Sequence, residues 1–112
     1  MASQSPRLNA LQAKTLTLLQ EIAAQSVFAE DDGETGGRRI RALPEPHGDH
    51  FHIGSRVVLT KDASGLQNMA VITALGRKGL LHLAGQRDIV VTPEGLAYQT
   101  GLRDKILHGS DH

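Results

Sequence analysis

Apolar residues recur at helical spacing near the start of the chain. Five of them fall on one side of a helical wheel: Leu8, Leu11, Leu18, Leu19 and Ile22. Ser5 is a candidate N-cap, and Pro6 suits the first turn of a helix. The pattern predicts an amphipathic helix over residues 6–24, and we expect its apolar stripe to face the core of the domain.

An acidic stretch follows this helix. Residues 29–37, AEDDGETGG, combine four carboxylates with three glycines and no apolar anchor, a composition that favours a mobile, solvated loop. Three arginines come directly after it: Arg38, Arg39 and Arg41. These arginines could bind phosphate. The simpler interpretation is that they balance the negative charges of the acidic stretch before them.

Polar and apolar residues alternate over residues 50–60. Four apolar residues fall on one face of this stretch: Phe51, Ile53, Val57 and Leu59. The turn-forming stretch PEPHGD precedes it. The pattern predicts one strand over residues 50–60, paired with residues 38–43 as an antiparallel hairpin.

Three histidines in the same region have a spacing found in metal sites. His50 and His52 are two residues apart, which places both imidazoles on one face of a strand, and His47 precedes them in the turn. Structural zinc normally takes four ligands, often cysteines. The chain has no cysteine, and no fourth ligand is apparent. We therefore expect exposed histidines, no metal site and no cofactor.

A second helix is predicted within KDASGLQNMAVITALGRKG. Ser64 and Gln67 have the spacing of a capping box. Four apolar residues follow at helical spacing: Leu66, Ala70, Val71 and Leu75. We expect a helix over residues 65–78, ended by Gly79 in the left-handed conformation.

Two short apolar runs after this helix predict a β-hairpin. The first begins at Leu80, and the second covers residues 89–91. The stretch Gly-Gln-Arg at 85–87 lies between them and supplies a turn. The two runs therefore predict a short antiparallel pair with a basic tip.

A helix-start signal closes the hairpin. Thr92 is a good N-cap, and Pro93 suits the first helical position. The predicted helix continues toward Leu107. Because each apolar face needs the others for burial, we expect one α+β domain over residues 1–112.

The order and spacing of these elements resemble winged helix-turn-helix proteins, especially the MarR-type regulators. In that family the recognition helix ends in a Leu-x-x-x-Gly-Leu segment, which Leu75, Gly79 and Leu80 match. The second strand of the wing ends in a Thr-x-x-Gly segment, which Thr92 and Gly95 match.

The resemblance covers residues 64–98, and the helix at 6–24 corresponds to the first helix of the winged unit. It implies a small winged-helix-like fold with N- and C-terminal helices, an antiparallel hairpin and a short wing. The family has a separate second helix before the recognition helix, for which only residues 61–65 are available here.

The resemblance also implies a regulator that binds duplex DNA. A recognition helix fits the major groove when one face is apolar toward its own domain and the other is polar toward the bases. The tip of the wing is implied to contact the DNA backbone or the minor groove. The candidate DNA-binding residues are Gln67, Asn68, Thr73, Arg77, Lys78 and Arg87.

The charge balance leaves a second function open. Twelve Lys and Arg residues equal twelve Asp and Glu residues, whereas non-specific DNA affinity depends on neutralising phosphates. The alternative is a winged-helix module that binds another protein instead of DNA. A single positive face that joins Arg77, Lys78 and Arg87 to the arginines at 38–41 would favour DNA, and interruption of that face by Asp88 and the acidic stretch would count against it.

Other function classes find little support in the sequence. No nucleophile-base pair, Gly-rich phosphate loop or paired carboxylate pattern stands out, so we expect no enzymatic activity. No apolar run approaches the ~20 residues that cross a membrane, and no charged-then-apolar leader is present. We expect a soluble protein of the cytoplasm.

The terminal helices suggest self-association. Long helices beyond a small winged core would leave Leu19, Leu102 and Leu107 without enough chain to cover them. We therefore expect a two-fold homodimer through residues 6–24 and 93–107, matched to a palindromic DNA site.

Overall fold

The chain has an α+β fold, described by a computed structural model for residues 6–85 and 88–109. This part contains five helical segments: α1 (Ala10–Ala23), a 3₁₀ helix (Thr60–Gln67), α2 (Met69–Arg77), α3 (Pro93–Ala97) and α4 (Arg103–Ile106). It contains seven strands: β1 (Ala29–Asp31), β2 (Arg38–Ile40), β3 (His50–Ile53), β4 (Arg56–Leu59), β5 (Leu81–Leu83), β6 (Ile89–Val91) and β7 (His108–Gly109). Two antiparallel sheets result, with strand orders β1-β2-β6-β5 and β3-β4-β7. None of the helices in these residues has the length and apolar character to span a membrane.

Helix α1 is the centre of the core. Leu18, Leu19 and Ile22 of the predicted stripe are 0% exposed, as is Leu16, which was not part of it. Leu11 and Leu8, the latter ahead of α1, are partly buried against the core, so the stripe faces inward as predicted. The predicted start at Pro6 is wrong, because Asn9 and Gln12 form a capping box: the Asn9 side chain accepts from the Gln12 amide at 2.8 Å. The Asn9 amide in turn donates to the Gln12 side-chain oxygen at 3.1 Å, so two backbone donors at the start of the helix are satisfied.

The helix expected to reach Leu107 is broken into α3 and α4. Gly101 between them has φ +75°, and the Thr100 hydroxyl bonds that of Thr17 in α1. Leu107 is 3% exposed and Leu19 is 0% exposed. Leu102, the third residue on which the dimer expectation depended, is half-buried. Most of that apolar area is therefore covered within one chain, and the homodimer remains a prediction.

The acidic stretch is not the mobile loop that its composition suggested. It forms β1 and a tight turn into β2, in which Asp32 is only 7% exposed. The Asp32 carboxylate accepts from the Thr35 hydroxyl at 2.8 Å and from the Thr35 amide at 3.0 Å. Ala29 anchors the start of the segment in the core at 2% exposure, and local hydrogen bonds order the turn that follows it.

Ion pairs fix the arginines that follow. Arg38 contacts Asp31 at 2.9 Å, and Arg41 contacts Glu30 at 3.4 Å. Arg39 lies 3.1 Å from Asp32 and 3.1 Å from Asp88. The interpretation as charge balance is confirmed, whereas the expected pairing of residues 38–43 with 50–60 is wrong, because β2 pairs with β1 and β6.

The predicted strand over residues 50–60 is in fact the β3–β4 hairpin. Gly54, with φ +58°, turns the chain, and Phe51 is paired with Val58. Phe51, Ile53 and Val58 are buried. The tight turn changes the phase of the alternation, so that Val58 rather than Val57 faces the core.

We expect Asp32 to make part of the stability dependent on pH. The Thr35 hydroxyl, followed by the Thr35 amide and Arg39, lowers the pKa of Asp32 below the usual aspartate value of 3.8. A lowered folded-state pKa adds stability above the unfolded pKa and loses it as pH falls through the folded pKa. Asp32→Asn should therefore be less stable than wild type at neutral pH and should lose less stability below pH ~4. Urea unfolding across that range tests this, with the exposed Asp31→Asn as control, and parallel curves for wild type and Asp32→Asn would contradict it.

Candidate nucleic-acid interface

Helix α2 is held by its apolar face. Val71, Ile72 and Leu75 are 7%, 1% and 0% exposed, so this side packs into the core. The capping box expected at Ser64 and Gln67 is wrong, because residues 60–67 form the 3₁₀ helix before α2 begins.

Asn68 is the N-cap of α2. Its side-chain oxygen accepts from the Ala70 amide at 3.0 Å and from the Val71 amide at 3.4 Å. The side chain predicted to read bases is thus engaged in a structural contact through its oxygen, and only its amide donors remain for a partner. A test of base contact needs a substitution that keeps the cap, such as Asn68→Ser.

A network of close contacts joins the end of α2 to the start of α3. Gly79 has φ +78°, as expected for the residue that ends the helix. The Thr92 hydroxyl donates to the Gly79 carbonyl at 2.8 Å and accepts from the Gly95 amide at 3.0 Å. The Thr92 amide donates to the Leu80 carbonyl at 3.2 Å. The two motifs that carried the family resemblance therefore contact each other.

Strands β5 and β6 form the predicted hairpin beside α2. Leu81 is paired with Val91, and Leu83 with Ile89. A groove of about 250 Å³ separates the hairpin from the helix. Its lining residues are Thr73, Gly76, Arg77, Leu81, His82 and Leu83. We call this feature the α2–β5 groove.

The structure brings only part of the predicted DNA-binding set to this groove. Thr73 and Arg77 line it, with Thr73 half-buried and Arg77 exposed. Gln67 lines a different groove, near Phe51. The Lys78 ammonium donates to the carbonyl of Arg7. Arg87, the predicted tip of the wing, lies outside the described residues.

His82 lines the groove and was not predicted from the sequence. It is exposed, between the buried Leu81 and the half-buried Leu83. This alternation along β5 is the signal that could have placed the imidazole outward, opposite the core.

The charges around the groove differ from those of the acidic turn. Within residues 6–85 and 88–109, neither Arg77 nor His82 makes an ion pair. The arginines at 38–41 are each held by a carboxylate. Because their charges are paired, these arginines do not add to a positive surface around the groove. A cationic surface there would have to come from other Lys and Arg residues.

The three histidines predicted to be exposed lie together at the β3–β4 hairpin. The His50 and His52 rings are 5.2 Å apart, and the His47 and His52 rings are 5.9 Å apart. The His50 imidazole also lies 3.2 Å from the Asp49 carboxylate. In the described part of the chain, no group of three or more His, Cys, Asp or Glu side chains has an arrangement suited to a metal ion.

The α2–β5 groove offers hydrogen-bond donors and a shallow apolar floor. A guanidinium binds phosphate through two parallel N–H groups, and an exposed imidazole and a hydroxyl can add single hydrogen bonds. The arrangement therefore suits an anionic partner that lies along the helix and the hairpin.

In comparisons with known proteins, no family model matches the chain, and no curated protein or solved structure is significantly similar to it.

Proposed function

We propose that the chain is a winged-helix domain that binds duplex DNA, with α2 as the recognition helix and the β5–β6 hairpin as the wing. The order of elements supports the proposal, since α1, β2, the 3₁₀ helix, α2 and the β5–β6 hairpin occur in this order along the chain, with β1 and the β3–β4 hairpin as additional strands between α1 and the 3₁₀ helix. The 3₁₀ helix occupies the place of the short second helix. Pairing of β2 with β6 attaches the hairpin to a strand that lies between α1 and the 3₁₀ helix in the sequence.

The observation that carries the proposal is the position of Arg77. This residue is exposed at the last position of α2 and lines the same groove as His82 on the hairpin. An α-helix with its side chains is about 10–12 Å across, so α2 is narrow enough to enter a major groove about 12 Å wide. Cationic side chains where a helix meets a wing would contact phosphates on either side of that groove.

A protein-binding module is the second candidate, and the exposure of Met69 favours it. Met69 is 56% exposed at the first position of α2, on the element proposed to read DNA. Methionine is common at protein-binding surfaces because its flexible side chain adapts to different partners. The neutralised arginines at 38–41 also reduce the cationic area available for DNA.

A homodimer on a palindromic site remains part of the proposed regulatory function. It requires a surface other than Leu19 and Leu107, which are buried. Val27, at 70% exposure, is the most exposed of the large apolar residues in the described chain. Sedimentation with and without duplex DNA would show whether a second copy binds.

We expect wild type to bind duplex DNA with an affinity that falls as salt rises, and Arg77→Gln to weaken binding to every sequence. Each phosphate contact contributes about 0.9 to the slope of log affinity against log salt, so the variant should lose about that much. Fluorescence anisotropy of a labelled duplex measures the slope. Lys105→Gln is the matched control, because it removes one positive charge from an exposed residue of α4.

Absence of salt-dependent binding by wild type, even at low salt, would reject the DNA proposal. The same result would favour the protein-binding candidate. Equal slopes for Arg77→Gln and wild type, with binding retained, would instead remove Arg77 from the interface.

A further inference from the structure

The N-terminal segment lies against the end of α2, beside the proposed interface. Lys78 donates a hydrogen bond from its ammonium group to the carbonyl of Arg7. The Tyr98 hydroxyl donates to the carbonyl of Pro6 at 2.5 Å. Two side chains from distant parts of the chain therefore hold this segment in place ahead of α1.

These contacts place the backbone of Arg7 beside the Lys78 ammonium group. Lys78 directly follows Arg77, the last residue of α2, so three basic residues lie in one region of the fold. Arg7 and Arg77 are exposed, and Lys78 is half-buried. We call this set the Arg7 patch.

No carboxylate neutralises the Arg7 patch within residues 6–85 and 88–109. None of its three members makes an ion pair there. The cations elsewhere that do pair with a carboxylate are Lys14, Arg38, Arg39, Arg41 and Arg103. The Arg7 patch thus holds three of the six Lys and Arg residues that make no ion pair in this part of the chain, the others being Arg56, Lys61 and Lys105.

We propose that the Arg7 patch binds the phosphate backbone of duplex DNA and extends the interface from α2 onto the N-terminal segment. The proposal rests on the proposed function and adds Arg7 to it. Grouped like charges repel one another, and a polyanion that binds across them removes that repulsion.

The donors of the patch remain available to phosphate. An ammonium group has three donors, and the Arg7 carbonyl takes one from Lys78. An arginine presents five N–H groups in a planar fork that fits a phosphate. The hydrogen bond from Lys78 goes to the backbone of Arg7, so the Arg7 side chain does not take part in it.

Arg7→Gln tests the proposal without disturbing this backbone contact. A labelled duplex is titrated by anisotropy at about 50 and about 200 mM salt, with full-length protein throughout. We expect Arg7→Gln to lower the slope of log affinity against log salt by about 0.9 and to weaken binding several-fold at low salt. Lys105→Gln, with the same change of charge, should have a smaller effect on both quantities, and all proteins should melt at the same temperature.

The outcomes separate this inference from the proposed function. If wild type binds and Arg77→Gln reduces the slope while Arg7→Gln behaves as Lys105→Gln does, the inference about Arg7 is wrong and the DNA function stands. If wild type shows no salt-dependent binding, the DNA function is wrong and the Arg7 patch has no phosphate role on duplex DNA.

Discussion

Replacement of Gly95 by alanine is expected to destabilise the protein strongly, although alanine is the better helix former. A Cβ atom at this position would lie 2.0 Å from the Leu80 carbonyl oxygen and 3.0 Å from the Leu80 carbonyl carbon. Helix propensity favours alanine by about 1 kcal/mol. Backbone atoms cannot rotate away as a flexible side chain can, so the overlap should prevail and leave a net loss of about 3 kcal/mol.

Thermal and urea unfolding of Gly95→Ala measure this loss, which corresponds to a fall in Tm of roughly 10–20 °C. Gly33→Ala is the matched control, because a Cβ atom there meets nothing within 4 Å. Its free energy of unfolding should stay within about 0.5 kcal/mol of wild type. A Tm for Gly95→Ala equal to or above that of wild type would show that the contact with Leu80 is not as close as described.

Leu75→Ala is expected to cost about 2–5 kcal/mol, since it deletes a core side chain and leaves a cavity. Leu75 is 0% exposed on the buried face of α2. Met69 is 56% exposed in the same helix, so Met69→Ala should change stability by less than about 0.5 kcal/mol.

Urea denaturation of the two α2 variants gives both values with one method. Equal losses for the two would contradict the assignment of the buried face of α2. Binding assays on Met69→Ala also separate the candidate functions, because the loss of a protein partner without any loss of DNA affinity would favour the protein-binding module.

Local signals in the sequence correctly predicted the end of α2, the β5–β6 hairpin and the start of α3. Gly79 ends α2, Thr92 caps α3 and Pro93 occupies the first turn of α3, and each depends on the chemistry of one residue and its near neighbours. The β5–β6 hairpin follows from apolar runs on either side of a turn. These features need no information from distant parts of the chain.

The errors arose where distant or competing contacts decide the structure. Thr100 contacts Thr17 across the domain. Gly101, with φ +75°, is the local signal of the break between α3 and α4 that the predicted continuous helix passed over. The acidic turn is ordered by Asp32 and by its ion pair with Arg39 in the next strand, against a composition typical of loops. At α1, two capping signals competed, and Asn9 with Gln12 determined the start.

The candidate site was predicted only in part. Exposure of Arg77 follows from its place opposite the buried face of α2. Asn68 and Lys78 are predicted from the sequence to contact DNA. The sequence does not show that the Asn68 side chain caps α2 or that the Lys78 ammonium donates to the Arg7 carbonyl. No local sequence pattern indicates a role for Arg7 at the candidate site, because its position depends on a contact with a residue far along the chain.

The pairing of β2 with β6 sets the order in which the larger sheet can assemble. It joins residues 38–40 to residues 89–91, whereas the hairpins β1–β2, β3–β4 and β5–β6 close between neighbouring segments. Closing a long loop costs more chain entropy than closing a short one, so the hairpins form before β2 and β6 meet. Until then both strands expose unpaired backbone groups that a second chain can bind. Pairing with a second chain depends on protein concentration, so refolding at low protein concentration favours closure of the sheet within one molecule over aggregation.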